Sequence, residues 1–154
     1  MNLTIATSYF YQIRNFKKNI IPVSTCLSDP RWYRPPQGQE YYFDKRGIIN
    51  GLRYEPLVVQ PRCGCPCPMQ HKRKEFCDFL YEYERNLYLD VDFDKMINSF
   101  KYCANKFKYL SNEEPIIALM VYEAPTEYCS ERQVLQEYFS TKGYECKELN
   151  YPIL

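Results

Sequence analysis

A chain of 154 residues that is 45% hydrophobic and 17% aromatic can bury a sizeable core, which argues against disorder or low complexity and makes one domain over residues 1–154 the expectation. Twenty Lys and Arg against nineteen Asp and Glu leave a net charge of +1, so no global field gathers polyanions, although a local basic patch remains open. Leu3 to Phe10 is too short and polar for a signal sequence and no apolar run reaches spanning length, so we expect a cytoplasmic protein without membrane contact, its eight Cys reduced.

Leu3-Thr4-Ile5-Ala6-Thr7 alternates apolar and small polar residues, the period of a strand. Phe10, Ile13 and Phe16 then suggest a short helix over 9–18, and Ile20 to Thr25 a second strand, with Pro22 requiring an edge or an irregularity. Residues 26–69 form a long aromatic, Pro- and Cys-rich insertion, with a hairpin expected around Tyr41 to Phe43. Phe76, Phe79, Leu80, Tyr83 and Leu87 mark a helix over about 70–88. Asp92 N-caps a second helix with core face Phe93, Met96, Ile97, Phe100, Ala104 and Phe107.

Pro115 to Tyr122 is almost continuously apolar, as in a strand of a parallel sheet covered on both faces. A turn over Glu123 to Tyr128 leads to a helix carrying Val134, Leu135, Tyr138 and Phe139 that ends near Gly143, and Tyr144 to Leu149 is the last strand. This order predicts a single-domain α/β sandwich: a mainly parallel central sheet flanked by helices, with the long irregular insertion after the second strand.

Ligands of open α/β sheets gather at strand carboxyl ends. There the sequence places Thr7, Ser8 and Tyr9, then Ser24 and Thr25, and Glu123 after the apolar strand. Cys129 and Arg132 open the following helix, where N–H groups and the macrodipole favour an anion or a thiolate. The candidate catalytic set is therefore Cys129, Arg132 and Glu123. The competing reading makes Cys129 a buried residue and Arg132 the structural partner of Glu123 or Glu127.

Two further clusters stand out. Cys63-Gly64-Cys65-Pro66-Cys67 with His71 collects soft ligands for which zinc is the first candidate, although the spacing is not a paired Cys-x-x-Cys. Arg31-Trp32-Tyr33-Arg34, with Tyr41, Tyr42, Lys45 and Arg46, interleaves cations and aromatics as base-stacking surfaces do, Trp32 being the candidate ligand contact. Its alternative is an insertion anchored by its aromatics. Cys26, Cys103 and Cys146 sit in apolar patterns that read as core.

The block Val121-Tyr122-Glu123-Ala124-Pro125-Thr126-Glu127-Tyr128-Cys129-Ser130-Glu131-Arg132, followed by Val134, Leu135, Tyr138 and Phe139, resembles the domain of unknown function 488 family, as do Thr7-Ser8-Tyr9-Phe10 and Ile21-Pro22-Val23-Ser24. Many members carry Cys-His-Arg where this chain has Cys129-Ser130-Glu131-Arg132. The resemblance implies a compact α/β fold and a site, without a named reaction.

Three functions follow as expectations: a binder of a small anionic ligand, a nucleotide or nucleic-acid fragment, near Cys129 and Arg132; a zinc-stabilised protein-interaction module built on Cys63 to Cys67; or a thiol enzyme with Cys129 as nucleophile.

Overall fold

The structure is a computed structural model that describes residues 3–26, 29–33, 42–43, 49–50, 52–59, 77–108, 111–122 and 130–149. Its centre is a four-stranded, all-parallel sheet in the order β2-β5-β1-β6, formed by β1 (Thr4–Tyr9), β2 (Ile20–Ser24), β5 (Ile116–Val121) and β6 (Cys146–Glu148). β3 (Tyr42–Phe43) and β4 (Ile49–Asn50) make a separate antiparallel pair where the hairpin is expected. The helices are α1 (Asp78–Leu89), α2 (Phe93–Lys106) and α3 (Arg132–Thr141). This is the α/β architecture the sequence predicts. Among the described residues no helix is long and apolar enough to cross a membrane.

β5 is central because its residues are apolar on both faces. Ile117 and Leu119 join Ile5, Ile21 and Val23 in one core cluster with Leu80, Leu87, Met96, Phe100, Leu135 and Phe139 from the three helices. Ala118 and Met120 face a second cluster made by Phe10, Ile13, Phe16 and Tyr33. Asp92 caps α2, its Oδ1 accepting from the Lys95 N–H at 3.1 Å. Gly143 ends α3 with φ +87°, while Tyr144 N–H bonds Phe139 C=O at 2.9 Å and Gly143 N–H bonds Ser140 C=O at 3.1 Å. That paired closure is the Schellman arrangement, and it needs the left-handed residue that glycine supplies without strain.

Residues 10–15 are a 3-10 helix instead of an α-helix. Phe10, Ile13 and Phe16 recur every three residues, the period of the tighter helix, and all three are buried. Cys77, expected within a helix that starts earlier, is the buried N-cap residue of α1. Cys26 and Cys146 are buried as expected, and Cys103 is half-buried.

Pro22 sits in mid-strand on the outer edge of β2. Alternation explains why it fits: Thr25 N–H bonds Met120 C=O of β5 at 3.2 Å, whereas Ser24 N–H points outward to Leu52 C=O at 2.9 Å. Residue 22 therefore aims its missing donor away from β5. Leu52 to Tyr54 runs alongside as a short parallel bridge through Arg53 and Ser24.

Candidate functional site

The strand order creates one topological switch point. After β1 the chain passes through the 3-10 helix to β2, beyond β5; after β5 it passes through α3 to β6, beyond β1. The two connections leave neighbouring strands in opposite directions over opposite faces, so the chain parts at the carboxyl ends of β1 and β5, the place where open α/β sheets hold ligands. Tyr9 and Val121 are the paired last residues of these strands.

On the helical face a polar network fills what would otherwise be core. Thr7, fully buried, pairs in register with Glu148 and donates from Oγ1 to Glu148 Oε1 at 2.8 Å. Arg132 donates from Nε to the same oxygen at 2.6 Å, and Gln136 Nε2 donates to Thr7 Oγ1 at 2.8 Å. Arg132 and Gln136 are four residues apart, hence on one face of α3 above the sheet. Among the described residues Glu148 Oε2 is buried and has no hydrogen-bond partner, so the charge-assisted contacts converge on a single carboxylate oxygen. Arg132 is only 7% exposed, and its guanidinium carbon lies 5.9 Å from the centre of the Tyr9 ring. The Tyr9 hydroxyl accepts from Gln12 Nε2 at 2.8 Å.

Beside it lies a second buried polar group. Thr25 Oγ1 stands 2.9 Å from Met120 O and 3.1 Å from Glu131 Oε1, and the Cys26 thiol approaches the same Glu131 oxygen at 3.8 Å. Among the described residues no group meets the buried Tyr83 hydroxyl at hydrogen-bonding geometry, the Thr25 side chain being a neighbour outside that geometry. Its proton is held well above the usual phenol range, first by desolvation and then by the charge of Glu131.

The opposite face of the crevice is aromatic. Trp32 is 49% exposed and Tyr122 46% exposed, and both pack on the buried Phe10, with centroids 6.3 Å and 5.1 Å away. Trp32 is thus anchored at one edge, as the packing alternative holds, while half of it meets solvent.

Of the sequence candidates, the structure joins Thr7, Tyr9 and Arg132 in one network and brings Trp32 to Phe10, the neighbour of Tyr9. Ser8 points to the other face of the sheet, buried and, among the described residues, without a hydrogen-bond partner for its hydroxyl. Ser24 belongs elsewhere: its hydroxyl bonds Asp29, which pairs with Arg53 at 3.0 Å. Glu123, Cys129, Cys63, Cys65, Cys67 and His71 lie outside the described residues. Glu127, the alternative partner of Arg132, does as well. Sequence reading missed Glu148, Gln136, Glu131 and Gln12. Glu148 carries a usable signal, since alternation from the buried Cys146 turns it inward.

Fold and network together define an α/β protein with a polar cluster at the carboxyl ends of its parallel strands. No protein-family model, no curated protein and no solved structure matches the chain. The resemblance to the domain of unknown function 488 family rests on the quoted motif residues alone.

Proposed function

We propose that the protein binds a small anionic ligand of the nucleotide class, a nucleotide or a single-stranded nucleic-acid fragment, at the switch point between β1 and β5. The observation that carries this reading is the position of Arg132, buried against Tyr9 where the two connections part, with the half-exposed rings of Trp32 and Tyr122 across the crevice. The base stacks on the aromatic side and the phosphate meets the guanidinium side. Because Glu148 already neutralises Arg132, stacking and directed hydrogen bonds supply most of the affinity, and binding weakens with salt far less than for a basic-patch protein.

Trp32 is the single tryptophan of the chain, so its fluorescence reports on this surface alone. Titration with AMP, ATP and a short oligothymidylate is expected to give saturable quenching that Tyr122→Ala weakens. Unchanged fluorescence, together with no heat of binding by calorimetry, would overturn the proposal.

A further inference from the structure

A surface cavity of about 930 Å³ lies between α2 and the sheet edge, and its described lining includes none of Tyr9, Trp32, Tyr122 or Arg132. Its size matches sites that enclose small organic molecules. Val23, Leu52 and Phe100 make an apolar floor, each buried, and Tyr54 forms an aromatic wall whose ring sits edge-on to Phe100 at 5.5 Å. The first turns of α2 supply a polar rim from Asp92, Asp94, Lys95, Asn98 and Ser99.

The charge of this rim selects the ligand. Arg53 lines the cavity but is matched by two carboxylates, Asp29 at 3.0 Å and Glu55 at 2.7 Å. Among the described lining residues Asp92 and Asp94 then outweigh Lys95, so the side-chain charge they set around the cavity is acidic. The Tyr54 phenol registers that field: its proton is held above the usual range by burial first and by Asp92 second. The N-terminal dipole of α2 by itself favours an anion, but Asp92 caps that end and, with Asp94, sets two carboxylates against it, so an ammonium meets carboxylates at the rim and an aromatic face below it.

We propose that this cavity is a second binding site, for an organic cation with an apolar body and one amino group. The anion-binding reading of the strand ends is independent of it, since the two sites use different residues and favour opposite charge.

The test compares three probes that share one apolar body: phenethylamine, phenethyl alcohol and hydrocinnamate, each titrated into the full chain and followed by amide chemical shifts. Phenethylamine is expected to bind with the largest shifts along 52–54 and 92–103, and hydrocinnamate at least about tenfold more weakly. Asp94→Asn, an exposed position, should weaken the amine by about fivefold and leave the alcohol unchanged. Ser99→Trp, also at an exposed position, should fill the cavity and abolish binding of all three while the thermal transition stays in place. Hydrocinnamate binding as tightly as the amine, amine binding that survives a folded Ser99→Trp variant, or no binding of any probe would each overturn the proposal.

Discussion

Glu131 and Arg132, adjacent in the chain, reach opposite edges of the four-stranded sheet: Glu131 Oε1 lies 3.1 Å from Thr25 Oγ1 just past β2, and Arg132 Nε lies 2.6 Å from Glu148 Oε1 at the end of β6. The start of α3 is thereby held from both sides above the carboxyl ends of β5 and β1. A change to either residue acts on the crevice and on the sheet together, so stability and binding must be read separately.

The Arg132–Glu148 pair allows that separation. Both hydrogen bonds to Glu148 land on Oε1, so Glu148→Gln keeps an acceptor for Arg132 and Thr7 and removes the charge, while its amide nitrogen takes the buried Oε2 position at some cost in stability. Arg132→Ala instead strands a half-buried carboxylate, at a cost of about 3 kcal/mol. Under the nucleotide proposal, Glu148→Gln binds ATP more tightly than wild type and with a steeper salt dependence, whereas Arg132→Ala binds it more weakly. Calorimetry at two salt concentrations checks both, and a loss of affinity in Glu148→Gln would count against Arg132 as the phosphate contact.

Glu131→Ala should lower the urea midpoint with no change in the slope of the transition, by about 1 kcal/mol, because the Thr25 hydroxyl and the Cys26 thiol lose one of two nearby acceptors and keep Met120 O at 2.9 Å and 3.8 Å. Glu131→Gln, which retains an acceptor oxygen, should recover much of that loss. Equal midpoints for Glu131→Ala and wild type would show that the contact contributes nothing.

Stability is expected to decline on the alkaline side. Burial first, and the neighbouring Glu148 second, push the Cys146 thiol up to about 12. A thiol in the unfolded chain ionises near about 8.5, so above that pH the unfolded state releases a proton that the folded state retains. The contribution is complete below about pH 8.5 and falls as pH rises toward about 12. Tyr33 and Tyr83, both held above the ordinary phenol range chiefly by burial, extend the loss to higher pH. Urea midpoints measured across this range should fall, and Cys146→Ala should flatten the first part of the curve.

Tyr33 fastens the insertion to the sheet. Its single hydroxyl proton lies between Leu52 O at 2.6 Å and Pro22 O at 2.9 Å, so Tyr33→Phe removes one donor shared by two carbonyls, of which Leu52 C=O keeps the Ser24 N–H. The expected cost is about 1–3 kcal/mol by thermal or urea unfolding. Hydrogen exchange at Ser24 and Tyr54 should accelerate at the same time, since their amides bridge the two segments.

The zinc reading of Cys63, Cys65, Cys67 and His71 predicts a native mass exceeding the denatured mass by one zinc, lost in Cys63→Ser. The thiol-enzyme reading predicts selective alkylation of Cys129 at neutral pH. A metal-free mass and an alkylation rate equal to that of a free thiol would remove both in one preparation.

The local pattern of the chain carries most of the fold. The apolar run of β5, the Asp92 cap and the Gly143 stop are written in adjacent residues, whereas the helix expected over about 70–88 is described only from Asp78, residues 70–76 lying outside the described residues, and the one expected over 9–18 is a 3-10 helix over 10–15. The polar network is only half legible. Thr7, Tyr9 and Arg132 follow from strand ends and a helix start, but Glu148 and Gln136 enter because β6 lies beside β1, a pairing that alternation within β6 does not encode. Ser8 shows the opposite limit: it neighbours Thr7 in sequence, yet the period of two sends it to the far face.

Edge strands invite pairing with other chains, and the outer side of β2 leaves little for a stranger to grip. Ile20 N–H is satisfied by Lys17 C=O at 3.0 Å, Pro22 has no N–H to offer, and its carbonyl is covered by the Tyr33 hydroxyl, 2.9 Å away, whose proton it shares with Leu52 C=O. Ser24 spends its N–H on Leu52 C=O at 2.9 Å and its C=O on Tyr54 N–H at 3.4 Å. The proline that looks like a flaw in a strand thus belongs to a guard against self-association, and Pro22→Ala should raise aggregation on prolonged incubation more than it changes the unfolding midpoint.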